Sequence, residues 1–387
     1  MHKMRSLYVD TFTSSPPLVQ DAPSSDSIGY GVTSSAAIVA ELRSRDFEVT
    51  TLNPELPAQV DSRARRAGWT SRIYADIVDA ISTEPPDVIF IFHVFSTFPA
   101  VVRKAIQDLG IDIPIVGYTH GSHWDPTDLY RFARHPGLKF ADLGNLEALD
   151  ALFVTSVYMR DVLIENIEMV SPEAAAVIAA KIAVVGLPLD MPRMDKQKAL
   201  ARSQRPTIIY NHAPIESKRP DIFIEAAGQV LAAHDATVLF TRRFSSGDFA
   251  YAQLRQLVKQ FPEQVVLGND MDLDDYYGRL WEAEIQVSTA SHESFGVSTL
   301  EAMYTNNACL LPRCGSYPDI CRNDPDVLYD VHEDDLAARI VYLITHRGAR
   351  EQIATRLSRI AQTYGAGQVV DRIMETLQTV ARQDGAA

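Results

Sequence analysis

Short β-rich runs alternate with stretches of helical spacing along almost the whole chain, and that rhythm constrains the fold more tightly than any other feature. Ser6 to Val9, Phe47 to Leu52, Val88 to His93, Ile115 to Tyr118 and Ala151 to Thr155 are apolar runs of strand length, with Val184 to Leu187 as a further one. Between them, Thr33 to Arg45, Arg72 to Ile81, Ala100 to Leu109 and Met159 to Asn166 carry apolar residues at helical intervals. Strands buried on both faces and separated by helices form βαβ units around a parallel sheet. Pro188 to Pro206 interrupts the rhythm with three prolines and the charged run Arg193 to Lys198, as an interdomain connection does. A second series follows. Its strands are Thr207 to Tyr210, Ala236 to Phe240, Gln264 to Leu267, Ile285 to Ser288 and Ala308 to Pro312. Its helices are Asp221 to Ala233, Tyr251 to Gln260, Asp274 to Ala283 and Ser298 to Asn306.

A chain of 387 residues is too long for one core, since domains average roughly 150 residues. We therefore expect an α/β protein with two Rossmann-like, doubly wound parallel-sheet domains facing across a cleft. The first spans 1–187, a linker spans 188–206, and the second spans 207–365. The tail from Asp334 to Arg382 has helical spacing, broken around Gly365 to Gly367. Its last part, 366–387, puts Val369, Val370, Ile373, Leu377 and Val380 on one face, too apolar for a free helix. We expect it to cross back onto the first domain. In open α/β sheets, ligands bind beyond the C-terminal ends of the strands. Architecture alone suits a dehydrogenase, an epimerase or a binding protein equally, so the motifs must decide.

Asp and Glu number 50 against 36 Lys and Arg, for a formal charge of −14. A surface of that sign repels phosphate backbones and anionic headgroups, which disfavours nucleic acid as a partner. Basic pairs at Lys218-Arg219 and Arg242-Arg243 still suit a small anion; Arg63 to Arg66 reads as an exposed helix face. Cys309, Cys314 and Cys321 match no zinc spacing and are odd in number, as reduced thiols of a cytoplasmic protein would be. No signal-peptide core follows the first residues, and the longest apolar stretch, Ala174 to Leu189, is broken by Lys181 and too short to cross a bilayer. The expectation is a cytoplasmic protein with no transmembrane segment; a homodimer is compatible with the sequence.

The most informative stretch is Ser288 to Ile320. A strand leads into His292-Glu293-Ser294-Phe295-Gly296-Val297 and then into a helix carrying Glu301. The two carboxylates are eight positions apart, one in the loop and one inside the helix, so they suit two separated parts of one ligand. Between them lies a helix N-terminus, where backbone N–H groups and the helix dipole favour an anion. Gly296 permits close backbone approach. With HESFGVSTLEAMY and the continuation LLPRCGSYPDI, this stretch resembles the Glu-x7-Glu motif and following glycine loop of the retaining glycosyltransferase family 4, with Asp319 where Glu is commoner. The resemblance implies the GT-B fold and assigns Glu293 to donor sugar hydroxyls and Glu301 to the nucleotide ribose. It places backbone amides around Phe295, Gly296 and Val297 against the donor diphosphate.

Further segments extend the likeness. Asn211-His212 ends a strand and Lys218 follows, where the family places a diphosphate-neutralising Lys. The family's accompanying Arg falls at Ala213 or a neighbour, a departure that Arg242 or Arg243 is placed to offset. Successive extended residues point opposite ways, so one of the two should face the ligand. In the first half, Gly29 and Gly31 after the first strand resemble the family's glycine-rich loop, and His120-Gly121 its His-Gly, which contacts the transferred hexose. His93 ends a neighbouring strand, and His123, Trp124 and Asp125 form an unusual loop suited to acceptor binding. Asn-His…Lys followed by Tyr-Pro-Asp is also similar to the tRNA-queuosine mannosyltransferase subgroup, against which the acidic charge argues.

The family likeness implies a metal-independent hexosyltransferase without a cofactor, using a nucleotide-diphosphate sugar as donor and a small molecule or glycan as acceptor. His120, Glu293 and Lys218 would be catalytic, and front-side displacement would retain the anomeric configuration. Two other readings remain. The absent Arg favours a non-catalytic relative that binds a nucleotide or a partner, and the fold also admits a nucleotide-sugar epimerase.

Overall fold

In the computed structural model the described residues are 3–10, 30–45, 47–52, 62–94, 99–128, 136–198, 205–269, 271–332 and 335–384. The chain divides into two compact units, Met1–Pro188 with Ala366–Ala387, and Leu189–Gly365.

The first unit runs β1 (Arg5–Val9), α1 (Tyr30–Ser44), β2 (Glu48–Leu52), α2 (Ser62–Thr83), β3 (Val88–Ile91) and α3 (Pro99–Leu109). It continues with β4 (Ile115–Thr119), α4 (Lys139–Glu147), β5 (Ala151–Val154), α5 (Val157–Glu168), α6 (Pro172–Ala179) and β6 (Ile182–Val184). All six strands are parallel, in the order β2-β1-β3-β4-β5-β6. Ile89 and Ile91 of β3, Ile115 of β4 and Leu152 of β5 pack with Ile73 and Ile77 of α2, Val102 and Ile106 of α3 and Leu163 of α5 in one core. The apolar run Ala174 to Leu189 is thus a helix followed by a strand. Ser171 starts that helix by accepting a hydrogen bond from the Ala174 amide at 3.2 Å, with Pro172 in its first turn.

The second unit begins with α7 (Met191–Lys196), followed by β7 (Thr207–Tyr210), α8 (Pro220–Ala233), β8 (Thr237–Phe240), α9 (Tyr251–Gln260) and β9 (Val265–Leu267). Then come α10 (Leu273–Glu282), β10 (Ile285–Val287), α11 (Val297–Tyr304), β11 (Ala308–Pro312), α12 (Tyr317–Ile320), β12 (Leu328–Tyr329), α13 (Leu336–Thr345) and α14 (Arg347–Ala361). This sheet is also parallel, in the order β12-β11-β10-β7-β8-β9. Within 188–206, read from sequence as a connection, α7 is folded into this unit. Met194 is buried, the Trp281 indole donates to its carbonyl at 2.7 Å, and Arg193 pairs with Asp274 at 2.5 Å.

The last helix, α15 (Ala366–Asp384), belongs to the first unit. Val369, Val370, Ile373 and Leu377 are buried, Arg45, just past the end of α1, donates to the Gly367 carbonyl at 3.2 Å, and Arg372 donates to the Val185 carbonyl at 2.9 Å. Among the described residues no helix is long and apolar enough to cross a membrane. The three cysteines are free thiols.

Candidate functional site

In the second sheet the chain starts at β7, builds outward to β8 and β9, and then returns to β10 on the other side of β7. Strands β7 and β10 are therefore adjacent, with Gln286 beside Ile209, while their outgoing connections run in opposite directions. Such a switch point leaves a crevice beyond the strand ends. The loops that emerge there are 211–219 and 288–296, the two segments in which the sequence motifs lie.

The loops are bound together. The Ser291 amide donates to the Ser217 carbonyl at 2.9 Å, and the Thr289 hydroxyl contacts the carbonyls of Lys218 at 3.0 Å and Arg219 at 2.7 Å. The Tyr210 hydroxyl also donates to the Lys218 carbonyl, at 2.8 Å. The backbone so held brings Lys218 Nζ to 2.8 Å from Glu293 Oε2 and 3.2 Å from the His292 carbonyl. The side chains of this pair are 17% and 13% exposed, so water screens it little. Burial acts to raise the Glu293 carboxyl, but the adjacent Lys218 ammonium leads the opposing effects, and the result lies below the ordinary carboxylate range. Tyr317, fully buried, reaches Glu293 Oε2 at 3.4 Å and shares a 2.6 Å hydrogen bond with Ser288.

Two glycines shape this loop. Gly296, with φ +87°, turns the chain into α11. Gly315, with φ +53°, lies against the Glu293 backbone so closely that a Cβ there would sit 2.3 Å from the Glu293 carbonyl oxygen. The next residue, Ser316, donates its amide to that carbonyl at 2.9 Å.

Eight positions beyond Glu293, Glu301 lies in different surroundings. Tyr276 donates to its Oε2 at 2.8 Å and Tyr277 to its Oε1 at 3.3 Å. Burial pushes its carboxyl up to about 7, although Tyr276, Arg242 and Tyr277 each act to lower it. The Arg242 guanidinium lies over the Tyr276 ring, 5.7 Å from its centroid. His212 is buried and held neutral, its pKa lowered to about 3 by burial and then by the charges of Lys218 and Arg242. Its ring nitrogens contact Gln286 and Ser298, each at 3.4 Å.

Thus Lys218, Glu293, Gly296, Val297, Glu301 and Arg242 share the β7–β10 rim region. Arg243 is exposed. Phe295 contributes a core side chain, its ring edge-on to Tyr364 at 5.3 Å, and so only its backbone is available to a ligand. Asn211, Tyr276, Tyr277, Gly315 and Tyr317 were not among the residues singled out from sequence as a site. Gly315 stood in the quoted glycine loop without a role, and two tyrosines inside a helix read as core.

In the first unit, His120 directly follows β4 and is 4% exposed. Its Nε2 donates to the Phe92 carbonyl at 2.8 Å, its ring stacks on Tyr118, and burial lowers its pKa to about 4, keeping it neutral. The His93 ring lies 5.6 Å from it, centroid to centroid. Gly31 is in the first turn of α1, and Gly29 lies outside the described residues. The loop 123–125 is built into the unit. His123 is 2.6 Å from Asp142, and buried Asp125 accepts from the Tyr158 hydroxyl at 2.8 Å.

Cationic groups, a helix N-terminus and two carboxylates in opposed electrostatic settings can bind a ligand that carries both an anion and several hydroxyls. Comparison with known proteins agrees with this chemistry. Residues 193–359 match the family described as glycosyl transferases group 1. No protein of curated function matches the chain. Among solved structures, sucrose-phosphate synthase from Thermosynechococcus elongatus is similar at a TM-score of 0.70 and 13% identity, over 100% of both chains. Anabaena HepE in complex with UDP is similar at 0.69 and 16%, over 97% of this chain and 100% of that one. Trehalose-6-phosphate synthase from E. coli, bound with UDP-2-fluoro glucose, is similar at 0.68 and 12%, over 96% and 98%. At such identities the likeness shows the fold: a two-domain α/β architecture of the GT-B type.

Proposed function

We propose that the protein is a cytoplasmic glycosyltransferase that moves a hexose from a nucleoside-diphosphate sugar to a small-molecule or glycan acceptor with retention of configuration. The observation that carries this reading is the Lys218–Glu293 pair at the β7–β10 switch point, with Glu301 one helical segment beyond it. Glu293 holds sugar hydroxyls, Glu301 holds the ribose, and Lys218 with the α11 N-terminus meets the diphosphate. The resemblance of 193–359 to group 1 glycosyl transferases and the fold shared with UDP-binding proteins support it. In the transfer, the bond from C1 to the diphosphate oxygen breaks and a bond from C1 to the acceptor oxygen forms. The acceptor proton passes to the leaving diphosphate, so no cofactor or metal enters the proposed scheme. On the first unit, His120 and the Gly29–Gly31 segment are assigned to the hexose and phosphate side by resemblance alone.

Donor hydrolysis tests the proposal, because most transferases hydrolyse their donor slowly when no acceptor is present. UDP-, GDP- and ADP-glucose and -mannose are incubated with the protein and the free nucleoside diphosphate is measured. Turnover of one donor, reduced about 10²–10³-fold in Glu293→Gln and in Lys218→Ala, is the expected result. The absence of the family's Arg at Ala213 or a neighbour favours a second reading in which the protein binds a nucleotide without catalysis. Nucleotide binding with no turnover of any donor would select it.

A further inference from the structure

We propose that Tyr276 is the positioning residue of the nucleotide site, its hydroxyl setting Glu301 and its ring seating Arg242, and that Arg242 supplies the second diphosphate cation lacking in the 211–219 loop. The inference rests on the nucleotide-sugar reading above and names which residue of this chain completes that site.

Four elements converge on one phenol. Tyr276, on α10, is 6% exposed. Its hydroxyl lies 3.1 Å from Asn211 Nδ2 and 2.8 Å from Glu301 Oε2. An amide NH2 only donates, and a phenol carries one proton, so the bonds must run from Asn211 to Tyr276 to Glu301. The Asn211 amide is itself oriented, its oxygen accepting from Gln286 at 3.2 Å and its nitrogen also donating to the Ser298 carbonyl at 2.8 Å. The chain Gln286–Asn211–Tyr276–Glu301 therefore links β10, the end of β7, α10 and α11 with a single polarity, and such a chain strengthens its last bond. With Tyr277 on the other oxygen, Glu301 keeps one rotamer and a second lone pair on each oxygen for a ligand.

The ring of the same tyrosine carries Arg242 at cation–π distance. Charge accounting then singles this arginine out. Lys218 is engaged by Glu293, and Arg219 makes a two-pronged pair with Asp221 at 2.8 to 3.2 Å. Among the described residues Arg242 has no carboxylate in ion-pair contact, yet its charge acts on His212, Tyr276 and Glu301. A guanidinium seated over a ring, and not neutralised by a carboxylate, is available to a phosphate. Past β8 the chain bends at Arg242, so strand alternation does not set the direction of Arg243, and the two arginines are told apart by the ring contact that Arg242 makes.

The test uses the full-length protein and titration calorimetry with UDP, GDP and ADP, then the matching nucleoside of whichever binds. Arg242→Ala should weaken the nucleoside diphosphate about 10- to 100-fold, as loss of a charged hydrogen bond does, and leave the nucleoside unchanged. Arg243→Ala should alter neither. Tyr276→Phe keeps the ring, and should weaken nucleoside and diphosphate by the same factor. Tyr276→Leu also removes the arginine's seat, so the diphosphate should lose more than the nucleoside, and adding Arg242→Ala should then cost little. Circular dichroism checks that each variant folds; if Tyr276→Leu does not, Tyr276→Phe and the arginine pair decide alone. Unchanged diphosphate affinity in Arg242→Ala, or diphosphate-selective loss in Tyr276→Phe, overturns the inference while the nucleotide reading stands. Failure of all three nucleotides to bind the parent protein overturns both.

Discussion

At the scale of single residues, the two carboxylates of the motif show how environment, not residue type, sets an acid's strength. Lys218 beside Glu293 keeps that group ionised, whereas burial pushes Glu301 up to about 7 against its ordinary 4.5. Tyr276, Tyr277 and Arg242 favour the Glu301 carboxylate, and Asp190 opposes it. Because the fold favours protonated Glu301, its contribution to stability is complete below about pH 4.5 and is lost as pH rises through about 7. Ligand hydroxyls need the opposite form, the carboxylate. Nucleotide affinity should therefore rise as pH increases through about 7, and Glu301→Gln should flatten that rise. The phosphate's own titration is common to both proteins, so their affinity ratio isolates the glutamate. A ratio that does not change with pH would exclude Glu301 as the titrating contact. A second prediction concerns Tyr317. Tyr317→Phe keeps the buried ring but removes the hydroxyl that meets Ser288 and Glu293, and should lower donor turnover more than it lowers stability, which loses about 1 kcal/mol. Denaturant titration and initial rates separate the two effects.

At the scale of elements, the Gly315 loop and α15 carry the sharpest expectations. In Gly315→Ala the new Cβ meets backbone, not a flexible side chain, and the positive φ adds strain, so the Glu293 loop must move. We expect a loss of about 1–3 kcal/mol in denaturant titration together with a fall in donor turnover. Gly296→Ala should be milder in its contacts, since its Cβ would meet the Tyr317 ring at 3.3 Å. For α15, Ile373 is fully buried in the first unit. Ile373→Ala should cost about 2–5 kcal/mol, a core-sized loss. An effect below about 0.5 kcal/mol, typical of a surface position, would show that the helix end is dispensable.

At the scale of the whole molecule, two parallel six-stranded units lie on a chain that leaves the first at Pro188 and returns to it at Ala366. The first unit is therefore completed only after the whole second unit has been made, since α15 contributes buried residues to it. A nucleoside diphosphate that binds the native state should raise its stability by about 2.7 kcal/mol at 100 times its dissociation constant. Differential scanning calorimetry with UDP, GDP and ADP reads this directly. A thermal midpoint unmoved by every nucleotide at millimolar concentration would argue against a nucleotide site of any kind.

Both sheets, most strand positions and the apolar face of α15 were legible in the sequence because they rest on periodicity, which burial imposes locally; the two-residue β12 was not read, and β6 lies at Ile182–Val184, not at 184–187. Thr207–Tyr210 and Ala308–Pro312 were readable to the residue for that reason. Helices α4 and α6 were not; the first has no side-chain cap at its N-terminus, and the second hides in an apolar run. Glu293, Lys218 and Glu301 announced themselves through spacing and the motif they resemble. Tyr276 could not, because a tyrosine in an amphipathic helix looks like core until its hydroxyl partners are known. Its hydroxyl partners Asn211 and Glu301, and the Arg242 over its ring, lie 65, 25 and 34 positions away along the chain. Only the parallel order that sets β7 beside β10 brings them to one phenol, and it also decides which cations are already paired.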